Sequence, residues 1–380
     1  MSLWQNAPPP PTKLGRYRLL SPNAGVRVSP LQIGAMNFGD NWGSTMGPMD
    51  KETVFKVLDT FFDAGGNFID TANGYQDEQS ETWIGEWSEK RGIRDQLFIA
   101  TKYTTMFKRG NDAVAQKVLY VGNGNKSLHM SVEASLKKLR TSYIDLLYVH
   151  WWDFQTSVEE VMRSLHSLVM ARKVLYIGIS DAPAWIVSRA NQYARDHGMT
   201  PFSVYQGAWN VMDRDFEREI IPMARSEGMA LAPWNALAAG KFRTDAEEEE
   251  RGKKGEYRKM RPDWERNDRE KKISKVLEKI AGEVGTKHLT AVALAYLLHK
   301  TPYVFPIVGG RKVEHLLANI EALDISLSNE QMSELEAAVP FDIGFPGWMS
   351  GTGPEGGWMI QSVAEIEPPL MLQPHKPVKN

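Results

Sequence analysis

NFIDTANGY, residues 67–75, joins a short apolar pair, Phe68 and Ile69, to an acid, Asp70, and then to a phenol, Tyr75. The pair has strand character, and Gly65-Gly66 before it stops a stretch of helical period. An acid after a strand is, by itself, more often a turn or cap residue than a reactive group. Recurrence gives it weight: three later apolar runs end in Lys102, His150 and Ser180.

On both sides the chain alternates between two periodicities. Residues 16–33 alternate around a turn-rich centre at 21–25, which predicts a β-hairpin. Strand-like runs follow at 31–36, 68–69, 97–101, 144–149, 174–179, 203–206, 229–232 and 304–308. Between them lie helical patterns. One, capped by Asp50, carries Val54, Val57, Leu58, Phe61 and Phe62 on one face. Others cover 78–91, 128–139, 158–171, 184–197, 217–227 and 289–298, and a final pair covers 313–318 and 329–338. Apolar strands separated by helices imply a parallel sheet covered on its faces. Eight such units predict a (β/α)₈ TIM barrel with an N-terminal hairpin. A doubly wound open sheet is the alternative, and it more often carries a glycine-rich fingerprint after its first strand. Residues 33–36 have none, and the G-x-G-x-x-G at 351–356 contains Pro354 and has neither strand nor helix beside it.

The domain division expected is a flexible, proline-rich lead-in at 1–14, one barrel at 15–340, and a tail at 341–380 lying over the substrate pocket. Two further polar stretches, 103–126 and the charge-dense 243–272, interrupt the repeat. Loops after barrel strands lie on the catalytic face, so the second is expected to act as a lid.

Composition narrows the function. The 380 residues are 42% hydrophobic and 24% charged, as in globular proteins, and the net charge of −2 is a poor match to a phosphate backbone. There is no cysteine, which excludes disulfides and thiolate chemistry. No run is long enough for a membrane helix, and no secretory signal is visible, so a cytoplasmic location is expected. No HxH or HExxH pair supports a metal-dependent hydrolase, and no metal site is expected.

In a barrel all strand C-termini meet at one rim, so Asp70, Tyr75, Lys102 and His150 can converge. Their chemistry fits one task. A phenol, with a pKa near ~10, exchanges protons poorly at neutral pH, and an adjacent ammonium lowers that value. A carboxylate keeps the ammonium charged and in place. A histidine can orient a carbonyl oxygen. Such a tyrosine could protonate the oxygen of a carbonyl being reduced, with electrons supplied by a cofactor.

Over residues 15–340 the chain resembles the aldo-keto reductases. The matching motifs are GGNFIDTANGYQDEQSETWIGEW, ATKY, SYIDLLYVHWWD, YIGISD, VYQ and PIVGGRKVEHLLANIEAL. ALAPWNALAAGKF and the Trp-rich C-terminal half are similar more narrowly to fungal aryl-alcohol dehydrogenases and norsolorinic-acid-reductase-like members. The resemblance implies metal-free use of NADPH/NADP+ in reversible reduction of a small carbonyl substrate, an aromatic aldehyde or ketone. Asp70, Tyr75, Lys102 and His150 would be the catalytic tetrad. Ser180 and Gln206 match residues that hold the nicotinamide carboxamide. Asp181 stands where the family usually has Asn, and Trp234 is the candidate stacking aromatic. Gly309, Gly310, Arg311 and Lys312 match the segment holding the 2′-phosphate, and Asn319 the adenine contact. Arg311 and Lys312, at a helix start, favour NADP over NAD. Trp42, Trp151, Trp152, Phe341, Phe345 and Trp348 are candidates for an apolar pocket wall. A non-catalytic cofactor-binding scaffold is the competing class. The oligomeric state is left open.

Overall fold

A computed structural model describes residues 6–254 and 265–377. Among them, two strands, β1 (Arg18–Ser21) and β2 (Ala24–Val28), form the expected antiparallel hairpin. Eight more form one parallel sheet: β3 (Gln32–Gly34), β4 (Phe68–Asp70), β5 (Phe98–Tyr103), β6 (Ile144–Val149), β7 (Val174–Ser180), β8 (Val204–Ala208), β9 (Ala230–Trp234) and β10 (Ile307–Val308). Their order is β10-β3-β4-β5-β6-β7-β8-β9. The ring closes where Leu231 pairs with Val304: Leu231 N donates to the Tyr303 carbonyl at 2.9 Å, and Phe305 N to the Leu231 carbonyl at 2.8 Å. The strand expected over 304–308 is therefore two pieces. Pro306 has no N–H to continue the ladder, so the segment pairs with β9 before the proline and with β3 after it.

Period-two alternation divides the side chains between two cores. Phe68, Phe98, Ala100, Leu146, Tyr148, Val204, Ala230, Ala232 and Phe305 fill the barrel, and Leu20, Ala24 and Val28 of the hairpin pack onto them from the N-terminal end of the strands. Ile69, Ile99, Leu147, Val149, Ile177 and Ile179 face the surrounding helices. The alternation that turns Phe98 and Ala100 inward turns Lys102 inward too. In the same way Asp70 follows Phe68. The neighbours are in register, Asp70 opposite Ala100 and Lys102 opposite Tyr148. A hairpin plugging one end leaves the C-terminal rim as the open end.

Three connections can be followed among the described residues. The lead-in is anchored before the barrel: Thr12 Oγ1 donates to the Ala64 carbonyl at 2.7 Å, and Leu14 is fully buried. Residues 1–5 lie outside the described part. In the run 243–272 the described residues include the helix Asp245–Lys254 and the start of the helix Asp268–Val284; residues 255–264 are outside the described residues. The second helix has a capping box, Asn267 with Glu270, and buries Ile273, Leu277 and Ile280. Its apolar spacing was present in the sequence but masked by DREKK. Buried Arg266 ties the two helices together, binding Glu248 at 2.5 Å and Asp245 at 2.5 Å.

The tail follows the outside of the barrel. Phe341 lies over the Arg214 and Arg218 guanidinium groups, and Arg218 donates to the Asp342 carbonyl at 2.8 Å. Further on, Glu355 approaches Arg225, and Lys376 lies in the field of His299. Tail side chains are not among those lining the pocket beside Tyr75.

Candidate functional site

The four residues picked out by type converge at the C-terminal rim. Lys102 Nζ, fully buried, donates to Asp70 Oδ1 at 2.6 Å, to the Thr71 carbonyl at 2.7 Å and to Tyr75 Oη at 3.3 Å. Its three N–H directions are thus all used. The other Asp70 oxygen, Oδ2, accepts from Gln206 Nε2 at 2.9 Å. Asp70 is thereby held from two strands at once. The His150 ring stands edge-on to Tyr75, with centroids 6.0 Å apart.

The electrostatics correct one expectation. Lys102 does pull the Tyr75 pKa down, but burial of the phenol outweighs it and the charge on Asp70 opposes it, so the net shift is upward. A phenolate here would lose its water before regaining it from one ammonium already paired to a carboxylate. Tyr75 is a neutral acid in this protein. Burial lowers the Lys102 pKa, but its two partners more than offset this, and it stays charged. Burial and the Lys102 charge push His150 down to about 3, so it is neutral. Thr105 Oγ1 lies 3.2 Å from His150 Nδ1 and accepts from Trp151 Nε1 at 3.0 Å. Indole can only donate, so the Thr105 proton is free for Nδ1, leaving the ring's own proton on Nε2. A neutral imidazole and a neutral phenol then present two donors to one carbonyl oxygen.

Sequence reading missed what holds this tyrosine. Gln76, Asp77 and Glu78 all have positive φ, +52°, +50° and +81°, a run that L-residues rarely adopt. Bonds on every side stabilise it. Buried Gln76 accepts from Trp42 N at 2.8 Å and donates to the Met36 carbonyl at 3.0 Å. Gln79 accepts from Asp40 N at 3.0 Å and Asn41 N at 3.2 Å. The two amides bind the loop after β3 across the turn and set Trp42 edge-on to Tyr75, centroids 6.5 Å apart. No glycine marks these positions, so neither turn chemistry nor periodicity could reveal them.

Of the aromatics proposed as pocket wall, Trp42 lines it, with Phe107 and Met106 from the long 103–126 connection. Trp152 is buried and Trp151 serves Thr105, while Phe345 and Trp348 point to solvent.

The neighbouring rim carries the remaining candidates. Ser180 ends β7 and Gln206 faces it in register on β8. Asp181, at φ +46°, accepts from Ser180 Oγ at 3.2 Å and from Trp234 Nε1 at 3.0 Å. Trp234 is the last residue of β9 and is 40% exposed, so its indole stands at the rim, pinned by one edge to Asp181. After β10, next to β9 on the closed ring, 309–312 lead into the helix Val313–Ile320. The Arg311 guanidinium lies so close to Gly47 (φ +81°) that a Cβ there would meet Nη1 at 1.6 Å. Asn319 is buried without a side-chain hydrogen bond to the described residues. A helix N-terminus preceded by two cations, Arg311 and Lys312, suits a phosphorylated nucleotide.

The Aldo/keto reductase family pattern matches residues 30–340. This chain belongs to that family. The aldo-keto reductase barrel thus accounts for the strand order and for the position of the open rim. Among curated relatives, the chain is 60% identical over 359 residues to the aryl-alcohol dehydrogenase (NADP(+)) of Phanerodontia chrysosporium, covering 93% of each. It is 55% identical to the norsolorinic acid reductase stcV of Emericella nidulans, over 90% of this chain and 86% of that one. It is 50% identical to the aldo-keto reductase ausK of the same organism, over 100% and 95%. Among the described residues of this reductase, no cluster of acids and histidines could hold a metal ion, and no helix is long and apolar enough to cross a membrane.

Proposed function

We propose that the protein catalyses reversible reduction of an aromatic aldehyde or ketone, with Tyr75 as the proton donor. The observation that carries this is Lys102 Nζ bound at once to Asp70 Oδ1 and Tyr75 Oη beneath an apolar pocket. Bound NADPH supplies the hydride. The chain does the rest. His150 Nε2 and Tyr75 Oη orient the carbonyl oxygen, and Tyr75 delivers its proton as negative charge develops there. Lys102, held charged by Asp70, stabilises the phenolate left behind. In alcohol oxidation the same phenolate takes the proton back. Ser180, Asp181, Gln206 and Trp234 would hold the nicotinamide. Gly309, Gly310, Arg311, Lys312 and Asn319 would hold the adenosine 2′-phosphate end. The relative named for NADP(+) and aryl alcohols supports cofactor and substrate class, and a cytoplasmic location belongs to the same proposal.

The direct test is cofactor consumption with a benzaldehyde panel, using NADPH and NADH in turn. NADPH is consumed in preference. Arg311→Ala raises the KM for NADPH roughly tenfold or more and changes that for NADH far less, because a charge-assisted phosphate contact is lost. Cofactor binding without turnover of any carbonyl would instead favour a scaffold.

The pH profile has a definite sign. With the Tyr75 pKa raised and His150 neutral above about 3, neither titrates between pH 5 and 9. kcat/KM for carbonyl reduction is therefore flat across that range, since the acid form is already populated. Alcohol oxidation needs the phenolate and rises about tenfold per pH unit. A limb near pH 6–7 in reduction would show that His150 titrates and overturn its assignment as a neutral donor.

A further inference from the structure

The polar connection at 103–126 enters the chemistry above only through Thr105, yet it builds one wall of the pocket. It contributes Met106, Phe107 and Arg109 to the lining that also includes Trp42. Two adjacent cations on it behave differently. Lys108 is paired to Glu78 Oε1 at 2.6 Å. Arg109 also lines the pocket, but among the described residues its side chain has neither ion pair nor hydrogen bond; only its carbonyl is used, accepting from Lys117 Nζ at 3.0 Å. Asp77 lines the same pocket beside Gly110 and forms no ion pair with Arg109.

We propose that Arg109 is a substrate-recognition residue, and that the pocket takes aromatic carbonyl compounds bearing a carboxylate remote from the reacting group. This rests on the carbonyl-reduction reading of the site. Trp42, Met106 and Phe107 offer apolar surface to a flat ring, and Tyr75 with His150 mark the end where the carbonyl oxygen sits. Guanidinium matches a carboxylate with two parallel N–H donors, a geometry an ammonium lacks. Arg109 stands at an exposed mouth, so its long side chain can turn onto a bound ligand, and its attraction falls with added salt. Asp77 opposes it, penalising anions that are not seated on Arg109.

The experiment compares kcat/KM for 4-carboxybenzaldehyde and 4-methylbenzaldehyde with NADPH in wild type, Arg109→Gln, Arg109→Lys and Asp77→Asn, at low and high KCl. The carboxylate-to-methyl ratio falls roughly tenfold in Arg109→Gln, recovers in part in Arg109→Lys, and rises in Asp77→Asn. In wild type the ratio declines with salt. A ratio in Arg109→Gln within about twofold of wild type overturns the proposal, as an exposed cation without a ligand contributes no more than that. Calorimetric titration with 4-carboxybenzyl alcohol separates the two readings. If neither aldehyde is turned over, binding weakened in Arg109→Gln sustains the anion site while the redox assignment falls. Equal binding by wild type and Arg109→Gln overturns the anion site itself.

Discussion

Tyr75→Phe lowers kcat for aldehyde reduction by about three orders of magnitude, within the range a positioned general acid supplies. The substitution removes one oxygen and little volume. Trp42 and His150 still meet the ring edge-on, and the turn at 76–78 keeps its amide clamps. Among the described residues the tyrosine hydroxyl is bonded to Lys102 alone, at 3.3 Å, so its loss leaves that ammonium with Asp70 and the Thr71 carbonyl. The fold and the NADPH affinity should therefore survive. Rapid-mixing measurement of a single turnover, with NADPH binding followed by fluorescence, checks both. A fall of less than about tenfold would mean that water or His150 delivers the proton, and Tyr75 would lose its role.

Lys102→Met affects activity and stability together, and the two can be separated. Asp70 is buried with its charge shared between Lys102 and Gln206. Removing the ammonium strands that carboxylate, which costs roughly 3–5 kcal/mol for a buried pair losing one partner. The urea midpoint falls accordingly, and carbonyl turnover drops by at least about a hundredfold. Asp70→Asn combined with Lys102→Met removes both charges while retaining an oxygen for Gln206. Replacing a buried pair by neutral groups is often close to neutral for stability, so the midpoint recovers. Turnover does not, because a phenolate then has no cation beside it. Recovery of activity along with stability in the double variant would show that Lys102 acts only as structural support.

The fold was legible because its information is local and repeated. Runs such as 144–149 and 174–179 are apolar on both faces, which signals a strand covered twice, and helix-period stretches separate them. The elements misread had their local signals overridden or masked. Pro306 broke a run that looked continuous, and the charges of DREKK hid the core-facing residues of the helix Asp268–Val284. The tetrad could be picked out because each member closes a strand or follows one, so barrel closure alone brings them together. Gln76 and Gln79 could not, since an amide that clamps a distant loop has the same composition as one in solvent. Arg109 was equally hidden: next to Lys108 in sequence, it differs only in where the long loop turns it.

By itself the sequence determined the alternation of strands and helices, the period-two phase that turns Asp70, Lys102 and His150 inward, and the family motifs. These depend on neighbours a few residues away, where side-chain type and spacing are enough. Tertiary structure alone decided the charge state and reach of the groups. Tyr75 is a neutral acid rather than a poised phenolate because its burial outweighs the pull of Lys102. Asp181 is tied to Trp234, and Arg311 lies over Gly47, across gaps of tens to hundreds of residues. Desolvation and pairing belong to the space around a side chain, and the linear order of residues does not contain that space until the barrel closes.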